Sequence, residues 1–208
     1  MVMMTNILPA DLSWVELLGK MLLIYLIGSI PSGLIIGKGL YGKDLREHGS
    51  KNIGSTNAYR VLGKMGALLV FLCDLTKGMM GAYLLSVTPT LTVIGGLLAM
   101  IGHNWPIFLN FKGGKGVATG LGMVIYMVPS VALLAFSIWA VIVYFTKYVS
   151  LGSIVAASVI PVAMYLWDEP MPYIVFGVIA ALFVIIRHRA NIARLLAGNE
   201  LKVERTKE

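Results

Sequence analysis

Residues 117–145 run for 29 positions without one charged side chain. About 20 apolar residues suffice to cross a bilayer as a helix, whereas a barrel strand needs only 9–11 with alternating polarity. Backbone polar groups inside hydrocarbon must be satisfied within the segment, so a continuous apolar run of this length reads as helix. Twenty-nine residues exceed one upright helix, and Pro129 with Ser130 divides the stretch into two spans, the first unusually short. Similar runs cover about 14–36, 65–87, 90–103, 151–167 and 171–186. The chain is 58% hydrophobic and only 13% charged, against about 25% charged in a soluble domain. The expected fold is therefore all-α, a polytopic integral membrane protein of seven transmembrane helices. It reads as a single membrane-embedded domain over residues 1–208, with 1–13 and 199–208 as flexible tails. Cys73 is the only cysteine and lies inside an apolar run, so no disulfide framework is possible. Asp11 and Glu16 precede the first run where a cleavable signal peptide would carry positive charge.

Seven spans put the two termini on opposite sides, and lysine and arginine choose the sides. One set of loops carries Lys38, Lys43, Arg46, Lys51, Arg60, Lys64, Lys112, Lys115, Lys147, Arg187, Arg189 and Arg194, followed by Lys202, Arg205 and Lys207. The other side shows Asp11, Glu16, Thr88–Thr90, Val128–Ser130, Asp168 and Glu169, with Lys20 the nearby exception. The N-terminus is expected outside and the C-terminus in the cytoplasm. The net charge of +7 sits beside membrane spans, which explains it without nucleic acid.

Three polar clusters fall on the cytoplasmic side. Asn110–Thr119 holds the loop Lys112-Gly113-Gly114-Lys115-Gly116, with a helix pattern resuming at Val117. Glycines turn successive backbone N–H groups toward one point, lysines add charge, and a helix N-terminus adds partial charge, all of which suits an anion. It is not a Walker A loop, since Gly116 stands where Ser or Thr would follow the lysine. A second cluster, Gly49–Asn57, offers Ser50, Asn52, Thr56 and Asn57 as donors, and Arg60 is placed for a bidentate phosphate contact. In the third, on a continuing helix, Arg187, His188, Asn191 and Arg194 share one face while Arg189 points away.

Other polar groups read more plainly. His103 is expected to be structural rather than catalytic, and Asp74 with Lys77, at i and i+3 inside a span, a buried structural pair. Ser150 and Ser153 open the sixth span either as caps or as donors to the site. No Ser-His-Asp set, metal-ligand spacing or nucleotide fingerprint is present. Strong anion recognition without a nucleophile suits direct transfer from an activated phosphorylated donor.

Together these clusters resemble the bacterial acyl-phosphate:glycerol-3-phosphate acyltransferase (PlsY) family. The matching residues are Gly49-Ser50-Lys51-Asn52-Ile53-Gly54-Ser55-Thr56-Asn57, His103-Asn104-Trp105-Pro106 with Phe111–Thr119, Arg187–Arg194 with Gly198 and Glu200, and Asp74-Leu75-Thr76-Lys77-Gly78. Lys51, where the family has glycine, and Ser55, where it has alanine, depart from the pattern. The resemblance implies acyl transfer from a long-chain acyl phosphate to the 1-hydroxyl of glycerol 3-phosphate, the first step of bacterial phospholipid synthesis. By motif match, Ser50, Arg60, Lys115 and Ser153 bind phosphate, and His188 and Asn191 lie at the reacting groups, with Lys115 counted among the catalytic set. No cofactor, metal, nucleic acid or obligate protein partner is implied. The location implied is the bacterial plasma (inner) membrane, with lipid around a site that faces the cytoplasm. The rival reading is an anion channel or exporter with a re-entrant Gly-Lys loop, against which stand the apolar outer halves of the spans.

Overall fold

The computed structural model describes residues 12–203. Among them every regular element is helical: α1 (Trp14–Ser29), α2 (Ser32–Tyr41), α3 (Ser55–Leu62), α4 (Lys64–Leu84), α5 (Pro89–Asn104), α6 (Val117–Met127), α7 (Pro129–Thr146), α8 (Val149–Leu166), α9 (Met171–Arg187) and α10 (Arg189–Leu196), with a 3-10 turn at Ile107–Leu109. The seven apolar runs are all helical. Lys64–Leu84, Pro89–Leu109, Pro129–Thr146 and Val149–Leu166 are each long and apolar enough to cross a bilayer. The pairs α1/α2 and α9/α10 pass the same test together but bend by 43° and 60°. With 11 residues, α6 spans about 16 Å, roughly half the hydrocarbon core.

Local chemistry explains these breaks. Pro129 begins α7, where its missing N–H and fixed φ are harmless, so the long apolar run divides there. Pro31 interrupts the first run, which therefore kinks instead of continuing straight to residue 36. The Ile30 carbonyl freed at that kink accepts a 2.6 Å hydrogen bond from Lys77 Nζ. Lys77 also donates to Asp74 Oδ1 at 2.7 Å, and both side chains are buried. The pair inside α4 is thus structural: it ties α4 to the kink at Pro31, where the Ile30 carbonyl also accepts from the Ser32 N–H at 3.0 Å.

Of the expected N-terminal tail, residues 1–11 lie outside the described part, but Ser13 is the N-cap of α1, accepting from the Glu16 N–H at 3.2 Å. Lys20, the exception to the charge asymmetry, pairs with Glu16 at 2.8 Å. The helices pack through small residues, as membrane helices do where apolar lipid offers no hydrophobic drive. Between α4 and α6 the approach is so close that a Cβ on Gly78 would run into the Thr119 carbonyl, and one on Gly122 into the Leu75 carbonyl. A core of Met123, Val124, Val131, Met164 and Phe176 joins α6 to α9.

The C-terminal segment overturns one expectation. Residues 199–203, expected to open a flexible tail, turn back onto the fold: Gly198 (φ 71°) reverses the chain, Glu200 is buried, and the Val203 N–H donates to the Lys147 carbonyl at 2.9 Å. Residues 204–208 lie outside the described part.

Candidate active site

A cavity of about 440 Å³ lies among α3–α10. Its rim is polar and its inner arm apolar. The first turns of α3, α6 and α8 all reach the rim through Ser55 and Thr56, Val117 and Ala118, and Val149 and Ser150. First-turn N–H groups have no intrahelical acceptor, and each helix start carries partial positive charge.

Each polar segment is held by its own hydrogen bonds. In the first, the Asn57 amide donates to the Leu45, His48 and Asn52 carbonyls at 3.0, 3.1 and 2.8 Å, and its Oδ1 accepts from the Ser50 N–H at 2.8 Å. Asn52 Oδ1 accepts from the Gly54 N–H at 2.9 Å. Asn57, expected as a phosphate donor, is therefore the buried organiser of the loop. It leaves the Ser50 and Thr56 hydroxyls facing the cavity, with no protein partner among the described residues. Lys51 has φ 58°, the left-handed region, which is the physical reason glycine suits that position.

The Gly-Lys loop also differs from the expected nest. The Gly113 and Gly114 N–H groups donate to the Asn104 and His103 carbonyls at 3.2 and 3.0 Å, satisfying the C-terminus of α5. Arg187 donates to the Gly113 and Gly114 carbonyls at 3.0 and 2.7 Å and lies over the Trp105 ring, 5.6 Å from its centroid. Gly113, Gly114 and Arg187 thus fix the loop from outside the cavity, and Lys112 is exposed away from it. A side chain at Gly114 would strike the His103 ring, so the glycine is there for close approach. Gly116, at φ 78°, turns the chain into α6 and lines the rim.

The helix expected to continue through 187–194 breaks at His188, and the bend carries α10 across the rim. His188, Asn191 and Arg194 line the cavity, while Arg189 is exposed. Lys115 Nζ donates to Asn191 Oδ1 at 2.6 Å, and Asn191 Nδ2 donates to Glu200 Oε1 at 2.6 Å. Ser150 Oγ donates to the same carboxylate oxygen at 2.8 Å, and Arg194 Nε to Oε2 at 2.8 Å. Ser153 lines the cavity while donating to the Val149 carbonyl, so neither serine caps α8. Arg60 reaches the Leu201 and Lys202 carbonyls at 3.1 and 3.3 Å, tying the first polar loop to the returning C-terminal segment.

Glu200 is the residue whose part in the site the motif left unstated. Its signal was its isolation, as the only carboxylate between Arg187 and Lys202. Burial opposes its ionisation, but the hydrogen bonds from Asn191, Ser150 and Arg194 hold its pKa below the usual range. Burial brings the Lys115 pKa down to about 8, with Glu200 opposing and Arg194, Arg60 and Arg187 adding to the fall. Burial and then Lys115 push the His188 pKa down to about 4, so its imidazole is neutral near pH 7. Among the described residues no group of His, Cys, Asp or Glu could hold a metal ion. On the rim, Lys115, Arg60 and Arg194 outnumber Glu200, a surplus positive charge suited to a dianion.

His103 is buried with Nδ1 3.6 Å from Asp74 Oδ1 and its ring against Gly114, a structural placement. The inner arm runs between Leu121, Trp139, Ala157, Ala181 and Val184.

A multi-pass membrane protein with a cavity that joins a cationic rim to an apolar arm is suited to act on amphiphiles. The glycerol-3-phosphate acyltransferase family pattern matches residues 18–198, and this chain belongs to that family. A relative named glycerol-3-phosphate acyltransferase 2 from Moorella thermoacetica is 46% identical over 181 residues, covering 86% of this chain and 93% of the relative. The glycerol-3-phosphate acyltransferase of Fusobacterium nucleatum is 45% identical over 183 residues, covering 86% and 94%. The crystal structure of PlsY (YgiH), an integral membrane glycerol 3-phosphate acyltransferase, in its glycerol 3-phosphate form superposes with a TM-score of 0.86 at 40% identity, covering 90% of this chain and 95% of that one. These matches favour the acyltransferase reading over the channel.

Proposed function

We propose that this chain transfers a fatty acyl group from a long-chain acyl phosphate to the 1-hydroxyl of glycerol 3-phosphate, giving lysophosphatidic acid and inorganic phosphate. The observation that carries this reading is the continuity of the cationic rim with the apolar arm, which accommodates a phosphate and an acyl chain in one space. Solved relatives are described in glycerol 3-phosphate and lysophosphatidic acid forms, an acceptor and a product of this chemistry.

In the reaction, the acceptor oxygen attacks the carbonyl carbon of the mixed anhydride, a C–O bond forms, and the C–O bond to phosphate breaks. Lys115, Arg60 and Arg194 hold the two anions together and offset their repulsion, which is the main task where the donor is already activated. Ser50, Thr56 and Ser153 supply hydroxyls at the rim. Lys115 and Asn191, paired at 2.6 Å, reach the carbonyl as charge develops on it. His188 Nδ1 lies 2.7 Å from the Val184 carbonyl, a contact in which the ring nitrogen donates, so Nε2 is left as an acceptor for the attacking hydroxyl. With its pKa near 4, His188 is a weak base. The second ionisation of a phosphate monoester lies near pH 6, so the substrate phosphate is the better proton acceptor. His188→Gln, which keeps an acceptor but cannot take the proton, should retain substantial turnover with an unchanged pH profile. Equal loss in His188→Gln and His188→Ala, with the acidic limb gone, would make His188 the base.

The lysine and arginine asymmetry supports a site on the cytoplasmic side of the plasma membrane. The Arg60 contacts with residues 201 and 202 support one continuous domain. Purified protein given glycerol 3-phosphate and palmitoyl phosphate should release lysophosphatidic acid and phosphate, and acyl-CoA should not substitute, since the rim holds compact anion sites without a nucleotide pocket. Everted vesicles should turn over external glycerol 3-phosphate while right-side-out vesicles should not. Equal rates with acyl-CoA would sink the donor assignment, and activity only in right-side-out vesicles would reverse the orientation.

A further inference from the structure

We infer that the apolar arm of the cavity is a ruler for the acyl chain, closed at Ile160 and Ala180, so that these two residues set donor chain length. The inference rests on the acyl-transfer reading of the site. Ser150 and Ile160 both line the cavity from α8, ten residues apart, which is about 15 Å along the helix. On α9, Ala180 lies seven residues before Arg187, about 10 Å inward from the end that holds the Gly-Lys loop. The arm is therefore about half as deep as the ~30 Å hydrocarbon core, the depth of a single membrane acyl chain.

The end is closed by packing. One residue beyond Ile160, Pro161 meets Gly177, where an added Cβ would lie 3.1 Å from the Pro161 Cα. Around that contact Met164 and Phe176 are fully buried and Val131 is 1% exposed. The walls before it owe their width to alanines: Ala135, Ala156, Ala157 and Ala181 all line the cavity. A chain that overruns the arm must repack this core or leave methylenes against the polar rim, while a shorter chain leaves apolar wall unfilled. Each methylene not buried lowers the selectivity term by roughly threefold to fourfold.

The test is a competition among acyl phosphates of about 10 to 18 carbons with glycerol 3-phosphate, reading the chain-length distribution of the lysophosphatidic acid formed. Ala180→Leu fills the end and should shift the preferred donor shorter, by roughly tenfold in relative kcat/KM per two-carbon step. Ile160→Ala opens the end and should shift it longer. General damage to the fold lowers turnover with all donors alike, so opposite shifts identify a ruler. If Ala180→Leu does not fold, Ala180→Val and Ile160→Ala carry the same pair of readings. An unchanged length profile in both active variants overturns the ruler and leaves the acyl-transfer reading intact. Absence of acyl transfer from every donor in the wild-type protein overturns the underlying reaction instead.

Discussion

Lys115→Ala should lower kcat/KM for glycerol 3-phosphate by about 10- to 150-fold, the equivalent of roughly 1.5–3 kcal/mol for a charge-assisted contact, while the protein still folds. The fold does not depend on this side chain. Among the described residues its hydrogen bond goes to Asn191, and burial works against its charge. Lys115→Arg should rescue in part, because a planar fork replaces a compact ammonium that pairs with Asn191 at 2.6 Å. The lowered pKa also gives a pH signature. With the free-site pKa at about 8, the fraction of charged Lys115 falls as pH rises through that value. Wild-type kcat/KM for glycerol 3-phosphate should therefore decline above about pH 8. In Lys115→Arg that alkaline limb should move beyond the accessible range, since arginine titrates above about 12. Steady-state kinetics across pH, with thermal melts as the folding control, check both statements. Near-normal activity in Lys115→Ala would move the phosphate site elsewhere.

How much of this was legible in the sequence follows from the range of the forces involved. Hydropathy located the apolar helices, because hydrocarbon penalises every unpaired polar group and only long apolar runs escape that penalty. The break at Pro129 was legible because proline acts on its own backbone. Ser50, Arg60, Lys115, Ser153, His188 and Asn191 were named as site residues, and all line the cavity. What was not legible was which polar groups face inward. Asn57, Gly113, Gly114 and Arg187 carry the same chemistry as the rim residues, but they bond backbone groups, those of Asn57, Gly113 and Gly114 in the preceding segment and those of Arg187 in the Gly-Lys loop. No local pattern encodes such pairings. The bend at His188 was missed for a related reason: no proline or glycine marks it in the sequence. The part of Glu200 was not legible because its partners, Ser150, Asn191 and Arg194, meet it only after the chain turns back at Gly198.

Lys77→Met should strongly destabilise the described fold. It would leave the Asp74 carboxylate, 2% exposed, without its 2.7 Å partner, and would leave the Ile30 carbonyl at the Pro31 kink without its 2.6 Å donor. Removing one member of a buried ion pair costs about 3–5 kcal/mol, a large share of a total stability of roughly 5–15 kcal/mol. The neighbouring His103 offers incomplete compensation. Its Nδ1 is 3.6 Å from Asp74 Oδ1, and moving closer would draw the ring from its contact with Gly114. The loss should therefore appear as a lower melting temperature in detergent and also as weaker glycerol 3-phosphate binding, since Gly114 precedes Lys115. Lys77→Met combined with Asp74→Asn should recover much of the stability, because the stranded charge is gone while the amide still fits. The double variant should not recover all of it, as the Ile30 carbonyl loses its 2.6 Å ammonium donor and keeps only the Ser32 N–H at 3.0 Å. A melting temperature for Lys77→Met within about two degrees of wild type would show that lipid, water or His103 neutralises Asp74 fully. The pair would then have no structural role at the kink, and a functional role for Asp74 at the cavity wall would become the better reading.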